Sequence, residues 1–323
     1  MMTEKIRWGF IGAGYIATKA LYPALLKSEV GEIYAIGCRD KERGLKLSPS
    51  GLVYTDYDEL LADPKVDAIY ISLPNSLHIE WSIKAMRAGK HVLCEKPLGM
   101  NVKEVHEAIA VSKETGMIFM EASWNRWHPR SIRFKQIIDS GEIGKVQSIR
   151  SAFTYDGLDP KNIRAIYELG GGGVYDLGPY SIAAPLWIMD FAPVTGLATK
   201  VTWHPQGSDE TVVTTFNIGG AKAEALTSMN TPSTLYLDVV GDKGSASLIG
   251  NDAFNSHNNP SELKVVVDGK ERIEKFEACD PYMLMADAMG HRIRGEEGWL
   301  MPHDQSVAFA TLFDRIFESM GRP

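Results

Sequence analysis

The chain opens on a short apolar run, Ile6 to Ile11, that ends in Gly12, and after Gly14 apolar residues recur three and four apart through Leu26. Such a run followed by a helical period predicts a buried strand, a tight turn and a helix. The alternation then repeats. IYAIGCR predicts a strand ending near Cys38. Val66 to Leu73 predicts another, running into a Pro74-Asn75 turn and a helix, and His91 to Cys94 a further one that ends in Glu95, Lys96 and Pro97. Strands alternating with helices predict an α/β domain with a doubly wound parallel sheet, whose ligands sit beyond the carboxyl ends of the strands.

The period changes in the second half. VQSIRSAFTY, VTGLATKVTW, ETVVTTFNI, KAEALTSM, STLYLDVVG, GSASLIG and LKVVVDG are short β-rich runs punctuated by Gly, Asp, Asn and Pro. Helices are predicted ahead of the first run (Ile132 to Ser140) and at the end of the chain (Asp304 to Met320). No internal repeat, low-complexity tract or long linker interrupts the pattern.

Length and composition narrow the class. The 323 residues suffice for two domains, and 44% hydrophobic with 23% charged residues is the balance of a soluble globular protein. No early segment has the order of a signal peptide and no apolar run approaches the roughly 18 residues of a membrane span, so a cytoplasmic protein without a membrane partner is expected. Cys38, Cys94 and Cys279 lie far apart without paired spacing, which argues against a disulfide framework, and no cluster of His, Cys and carboxylates has ligand spacing, so no metal is expected. A net charge of -7 with scattered Lys and Arg leaves no basic face for nucleic acid.

Four places carry candidate chemistry. Gly12, Gly14 and Ala17 form a G-x-G-x-x-A pattern between a strand and a helix, where the first glycine permits the turn, the second lets backbone approach a pyrophosphate, and the helix N-terminus faces the anion. At the tip of the next strand, where an acid would hold the ribose hydroxyls of NAD, stand Cys38 and Arg39. A guanidinium without a carboxylate favours NADP(H), with NAD(H) as the alternative if Asp40 takes the ribose. Lys96 follows a buried strand directly and precedes a proline, which aims it at the ligand edge of the sheet. The fourth place is ELGGGGVYDLGPYS, Glu168 to Ser181. Four consecutive glycines are costly to order, so something there needs bare backbone. Asp176 and Tyr180 follow, four residues apart and one helical turn from each other if the segment is a single helix. Pro179 and Pro185 predict a late start or a kink.

Together the GAGYIA turn, the LPNSLH segment, the CEKP element and the GGGGVYDLGPY stretch resemble the Gfo/Idh/MocA family of NAD(P)-dependent oxidoreductases, in order and over nearly the whole chain. The tyrosine at 180 is similar to glucose-fructose oxidoreductase, the D-xylose dehydrogenases and the dihydrodiol dehydrogenases. The resemblance implies a Rossmann domain over residues 1–123 and, over 124–323, an α+β domain with a large open, mostly antiparallel sheet that serves substrate binding and assembly into a homodimer or homotetramer. It implies Lys96 and Tyr180, with Asp176 beside them, as the groups that act on the reacting hydroxyl or carbonyl. For the cofactor it implies Gly12, Gly14, Tyr15, Ile16, Cys38, Arg39, Leu73, Pro74, Asn75, His78, Glu95 and Lys96. For the substrate it implies Asn162, Arg164, Trp124 and Arg126, with the glycine stretch as a floor against nicotinamide and substrate.

The chemistry also follows from the residue types. Hydride transfer to a carbonyl develops negative charge on oxygen, which needs a proton donor and a nearby positive charge, and Tyr180 and Lys96 are those groups. The expected activity is NAD(P)-dependent oxidation or reduction of a sugar, polyol or cyclic diol. Two rivals stand beside it, a redox-neutral glycoside-cleaving enzyme that retains NAD and a non-catalytic regulator that senses a dinucleotide or sugar.

Overall fold

In the computed structural model, which describes residues 4–47 and 49–321, the apolar runs of the first half lie side by side. They form β1 (Ile6–Ile11), β2 (Gly31–Gly37), β3 (Val53–Tyr54), β4 (Ala68–Ile71), β5 (His91–Cys94) and β6 (Phe119–Glu121), all paired in parallel in the order β3-β2-β1-β4-β5-β6. Their side chains are mostly apolar because both faces are covered, by α1 (Tyr22–Lys27), α2 (Lys41–Leu45), α3 (Tyr57–Ala62), α4 (His78–Arg87) and α5 (Val102–Thr115). Residues Gly37, Ile11, Ile71, Cys94 and Glu121 pair in one row. The segments that follow them therefore share one edge of the sheet, and the strand order reverses between β1 and β4 within that row.

Local chemistry sets the helix ends. Asn101 caps α5 by accepting from the Glu104 amide at 2.9 Å while the Glu104 carboxylate accepts from the Met100 amide at 2.9 Å, a reciprocal box, and Gly116 closes the helix in the left-handed region. The helix after Gly14 contains a π segment, Ala17–Leu21, before α1. Pro23 lies just beyond it, and the wider turn relieves the clash of its ring with the preceding carbonyls.

The first unit takes in residues up to Trp124 and also Asp280–Val307. The returning segment carries a helix, Pro281–Ile293, that seats on the start of β2: Ser28 Oγ donates to Asp287 at 2.5 Å, and a Cβ at Gly290 would meet Val30 Cγ1 at 2.6 Å.

The second unit is Asn125–Cys279 with the chain from Ala308 on. It begins with α6 (Pro129–Asp139) and β7 (Val146–Thr154), passes through α7 (Gly173–Asp176), α8 (Gly178–Ser181) and α9 (Ala184–Ile188), and continues as β8 (Val194–Trp203), β9 (Asp209–Ile218), β10 (Ala221–Ser228), β11 (Thr234–Gly241), β12 (Gly244–Ile249), β13 (Ser261–Val267) and β14 (Lys270–Phe276). These eight strands form one sheet in the order β14-β13-β12-β11-β7-β10-β9-β8, antiparallel except for β7 with β10. Buried alternate positions, Ala221, Ala223 and Ala225 on β10 and Leu235, Leu237 and Val239 on β11, turn one face inward. The short alanine side chains of β10 let α7 and α8 lie directly on the sheet. A closing helix, His303–Met320, begins in the first unit and runs into the second. Among the described residues no helix is long and apolar enough to cross a membrane.

Candidate active site

At the crossover edge of the parallel sheet the chain turns at Gly12, whose φ of +99° suits glycine. A Cβ there would sit 3.0 Å from Ser72 Oγ and 3.1 Å from the Ser72 carbonyl oxygen, so packing also demands the bare residue. Gly14 differs. A Cβ at Gly14 would meet only the Ser72 carbonyl oxygen, at 3.8 Å, so the fold itself has no use for glycine there. Bare backbone with open space above it suits close approach of a ligand, and the turn fits a dinucleotide pyrophosphate on this observation. Beside it Tyr15 is exposed and Ile16 half-buried.

At the tip of β2, Cys38 is buried and Arg39 exposed. Asp40 caps α2 by accepting from the Arg43 amide at 3.2 Å. The acid next to the arginine is thus engaged in its own helix, and this strand tip carries an exposed guanidinium beside a buried cysteine.

The tips of β4 and β5 are tied together by one side chain. His78, with no exposed surface, places Nδ1 2.8 Å from the carbonyl oxygen of Pro97 and Nε2 3.0 Å from that of Leu73. It joins the Leu73-Pro74-Asn75 turn to the Glu95-Lys96-Pro97 loop from behind. Burial holds its pKa below the ordinary value, the two carbonyls pull the other way, and the Lys96 charge adds to the lowering. Leu73, Pro74 and Asn75 are half-buried, as is Lys96, and the Lys96–Pro97 peptide is cis.

Under Lys96 lie two buried carboxylates. Glu95 accepts from the Tyr70 hydroxyl at 2.6 Å and from the Lys96 amide at 3.3 Å. Glu121, at the end of β6, accepts from Ser306 Oγ at 2.5 Å. Burial pushes the Glu121 pKa up to about 7, opposed by the hydrogen bonds from Ser306 and the Leu98 amide and by the charge of Lys96. Sequence reasoning missed Glu121, because its partner returns from the far end of the chain.

In the second unit the glycine stretch has a structural account. Gly170 and Gly172 have φ of +79° and +123°. A Cβ at Gly171 would lie 2.4 Å from the Arg164 carbonyl oxygen, and one at Gly172 would lie 2.0 Å from Asp209 Oδ1. Oδ2 of the same aspartate accepts from the Val174 amide at 2.7 Å. The bare backbone is therefore filled by this unit's own groups at Gly171 and Gly172, not left open as a floor for ligand. Asp209 is buried, and burial raises its pKa to about 7 against the amides of Val174, Asp209 itself and Gly173. It is a second residue the sequence did not single out.

Asp176 and Tyr180 do not share one helix. Asp176 ends α7 and Tyr180 sits in α8, with Leu177 (φ −105°, ψ −27°) between them and Pro179 in the first turn of α8. The proline, tolerated only near a helix start, breaks the segment into single turns. The Asp176 carboxylate accepts from Arg164 Nε at 2.6 Å, and Asn162 caps the turn that carries this arginine by accepting from its amide at 3.0 Å. The charge of Asp176 holds the Arg164 pKa above its ordinary value despite burial. Tyr155, also absent from sequence reasoning, joins the group: burial and then the Asp176 charge raise its pKa, with Arg164 opposing. The ring of Tyr180 is packed by Phe153 at 5.4 Å and Phe254 at 6.1 Å between centroids. The loop that carries Phe254 is held by the buried Arg130, which donates to the Asp252 carboxylate at 2.7 Å, the Asp252 carbonyl at 3.0 Å and Ser256 Oγ at 2.9 Å.

The tryptophan-rich stretch goes mostly to packing. Trp124 stacks on Tyr282 within the first unit, 5.2 Å between centroids. Arg126 lies over the ring of Trp187 at 4.9 Å within the second. His128 caps α6 through Nδ1, and burial beside Arg130 lowers its pKa to about 4. Among the described residues no group of three or more His, Cys, Asp or Glu side chains is placed to hold a metal ion.

Comparison with known proteins bears on the family and the fold. The family profile described as "oxidoreductase family, NAD-binding Rossmann fold" matches residues 6–123, and that of the GFO/IDH/MocA C-terminal domain matches residues 131–247. The chain is 33% identical over 320 residues to D-xylose 1-dehydrogenase (NADP(+)) 2 of Haloferax volcanii, covering 97% of this chain and 96% of the relative. It is 31% identical over 250 residues to trans-1,2-dihydrobenzene-1,2-diol dehydrogenase of Mus musculus, covering 75% and 74%. The crystal structure of the 3-ketoreductase KijD10 of Actinomadura kijaniata with NADP and TDP-benzene matches with a TM-score of 0.91 at 26% identity, over 98% of each chain.

Proposed function

The chain belongs to the Gfo/Idh/MocA family of oxidoreductases, and from that premise we propose that it transfers a hydride between NADP(H) and a secondary alcohol or carbonyl of a sugar, polyol or cyclic diol. The observation that carries the cofactor choice is the tip of β2, where Arg39 is exposed and Asp40 is spent on capping α2. A 2′-phosphate meets a forked donor there and no competing carboxylate. The substrate class is supported by relatives named for D-xylose and for a cyclic trans-diol.

Gly12, Gly14, Tyr15 and Ile16 would hold the pyrophosphate, Cys38 and Arg39 the 2′-phosphorylated ribose, Glu95 a ribose hydroxyl, and Leu73, Pro74 and Asn75 the nicotinamide side. His78 supports that side from behind. Bound NADP(H) supplies or accepts the hydride. Tyr180 is the general acid/base: its phenol gives a proton to the carbonyl oxygen in reduction and takes one from the hydroxyl in oxidation. An unperturbed tyrosine titrates near 10, so the oxidative direction needs a neighbouring cation to favour the phenolate, and Lys96 has that role. Lys96 also stabilises the charge developing on the substrate oxygen. Asp176 orients the substrate hydroxyls. Asn162 and Arg164 border the substrate, and Trp124 and Arg126 act through the packing that shapes the unit to which each belongs. The face of the eight-stranded sheet that α7 and α8 do not cover is proposed to pair copies of the chain into a homodimer or homotetramer.

The test is a pair of variants. Lys96→Met and Tyr180→Phe should each lower kcat by about a hundredfold or more, while NADP(H) affinity by fluorescence titration stays near that of the parent. Near-normal turnover in both would remove the assignment.

A further inference from the structure

Arg164, in the second unit, stands beside both a proposed catalytic carboxylate and the proposed acid/base. Its side chain keeps 36% of its surface exposed and that of Asp176 16%, so the pair is reachable rather than sealed. The bond at 2.6 Å runs through Nε, not through the terminal Nη groups. The charge of Asp176 is the largest influence on Arg164, with Tyr155 and Tyr180 contributing in the same sense. The guanidinium thus already has its counter-charge, inside a group that also contains two phenols.

Resting on the reading above, the geometry points to a substrate that is uncharged where it meets this pair: Arg164 and Asp176 act together as a neutral donor–acceptor unit that reads neighbouring hydroxyls, and substrates bearing a carboxylate at that end are excluded. A hydroxyl both donates and accepts, so one face of the pair satisfies it from the Nη groups while the other satisfies it from the carboxylate. A carboxylate offers only acceptors. It would compete with Asp176 for the same guanidinium and bring a like charge against it in a partly desolvated place. Arg164 on its own would be the obvious anchor for a sugar acid, and the ion pair is what removes that use.

The discriminating measurement is binding, because Asp176 is also assigned to the chemistry. Calorimetric titration of the NADP+-loaded protein with xylitol and with xylonate compares a neutral polyol with an anionic one of the same chain length. The parent should bind xylitol more tightly, by on the order of tenfold or more. Asp176→Asn should unmask Arg164 and reverse the order, and Arg164→Gln should weaken xylitol without gaining xylonate. Circular dichroism of both variants separates a local effect from loss of fold. Parent protein that binds xylonate as well as xylitol, or binds neither, overturns the inference, as does an unchanged order in a folded Asp176→Asn. NADPH formation with D-xylose, followed in parallel, tests the reaction itself: its absence with the binding order intact overturns the proposed activity and leaves the pair's role standing.

Discussion

Nδ1 of His78 lies 2.8 Å from the carbonyl oxygen of Pro97, and through its other nitrogen the same ring reaches the carbonyl of Leu73. Two loops of the parallel sheet's ligand edge are held by a group that has no exposed surface itself. His78→Phe nearly keeps the ring volume and leaves the carbonyl that accepts the ring's single N–H without its partner in a dry place. The variant should lose about 1–3 kcal/mol in urea unfolding. Its kcat should fall more than its KM for NADP(H) rises, since the ring sets where Lys96 and Asn75 stand and, in the proposed mechanism, touches neither cofactor nor substrate. A variant as stable and as active as the parent would show that the loops hold their places without it.

Gly172 and Gly14 separate two uses of glycine. A Cβ at Gly172 would meet Asp209 Oδ1 at 2.0 Å, and the backbone there has φ of +123°. Gly172→Ala should therefore cost at least about 2 kcal/mol of stability. At Gly14 the nearest protein atom to an added Cβ is 3.8 Å away, so Gly14→Ala should unfold within about 1 kcal/mol of the parent and weaken NADP(H) by about tenfold or more. Denaturation curves and cofactor titration on the two variants check the contrast. Equal loss of stability in both would mean that the turn at Gly14 is as crowded as the one at Gly172.

These residues also show what was legible in the sequence. The strand tips could be read because apolar runs end there at Gly, Pro or charge, and local punctuation of that sort survives without tertiary information. That the glycine stretch needs bare backbone was equally visible. What fills it was not, because Asp209 arrives from β9 after an intervening helix stack. The break between Asp176 and Tyr180 had its signal in Pro179, though spacing alone suggested one helix. Glu121 had no signal: Ser306 is 185 residues away and returns only because Asp280–Val307 folds back onto the first unit. Helical and strand periods report which face is buried, not which distant segment covers it.

Glu121 and Asp209 make a pH dependence expected. Burial raises each to about 7, from ordinary values of 4.5 and 3.8. The folded chain then binds more protons than the unfolded one between those values and about 7, so their contribution to stability is complete below the ordinary pKa and is lost as pH rises through the raised one. Within that window each group should change stability by roughly 1.4 kcal/mol per pH unit. Urea midpoints at pH 5 and pH 8 for the parent and for Glu121→Gln with Asp209→Asn measure this. The parent should lose stability on the way to pH 8, and the double variant, which has nothing to deprotonate at these sites, should lose less. Parallel slopes would place both carboxylates in the ionised state throughout.

The last expectation concerns the coenzyme. Arg39 is exposed at the tip of β2 and Cys38 beside it is buried, while Asp40 accepts from the Arg43 amide at 3.2 Å. A 2′-phosphate adds charge-assisted bonds to the guanidinium that NAD cannot form, so Arg39→Ser should lower kcat/KM for NADP by on the order of 10–100-fold and leave NAD nearly unchanged. Arg39→Asp goes further, since a carboxylate at this tip repels the phosphate and accepts from ribose hydroxyls, and its preference should turn to NAD. Asp40→Ala is the control that distinguishes a cap from a ribose ligand. Losing the cap should cost about 1 kcal/mol and leave the ratio of the two coenzymes where it was. A fall in the NAD rate alone in Asp40→Ala would place that carboxylate on the ribose and return the preference to NAD.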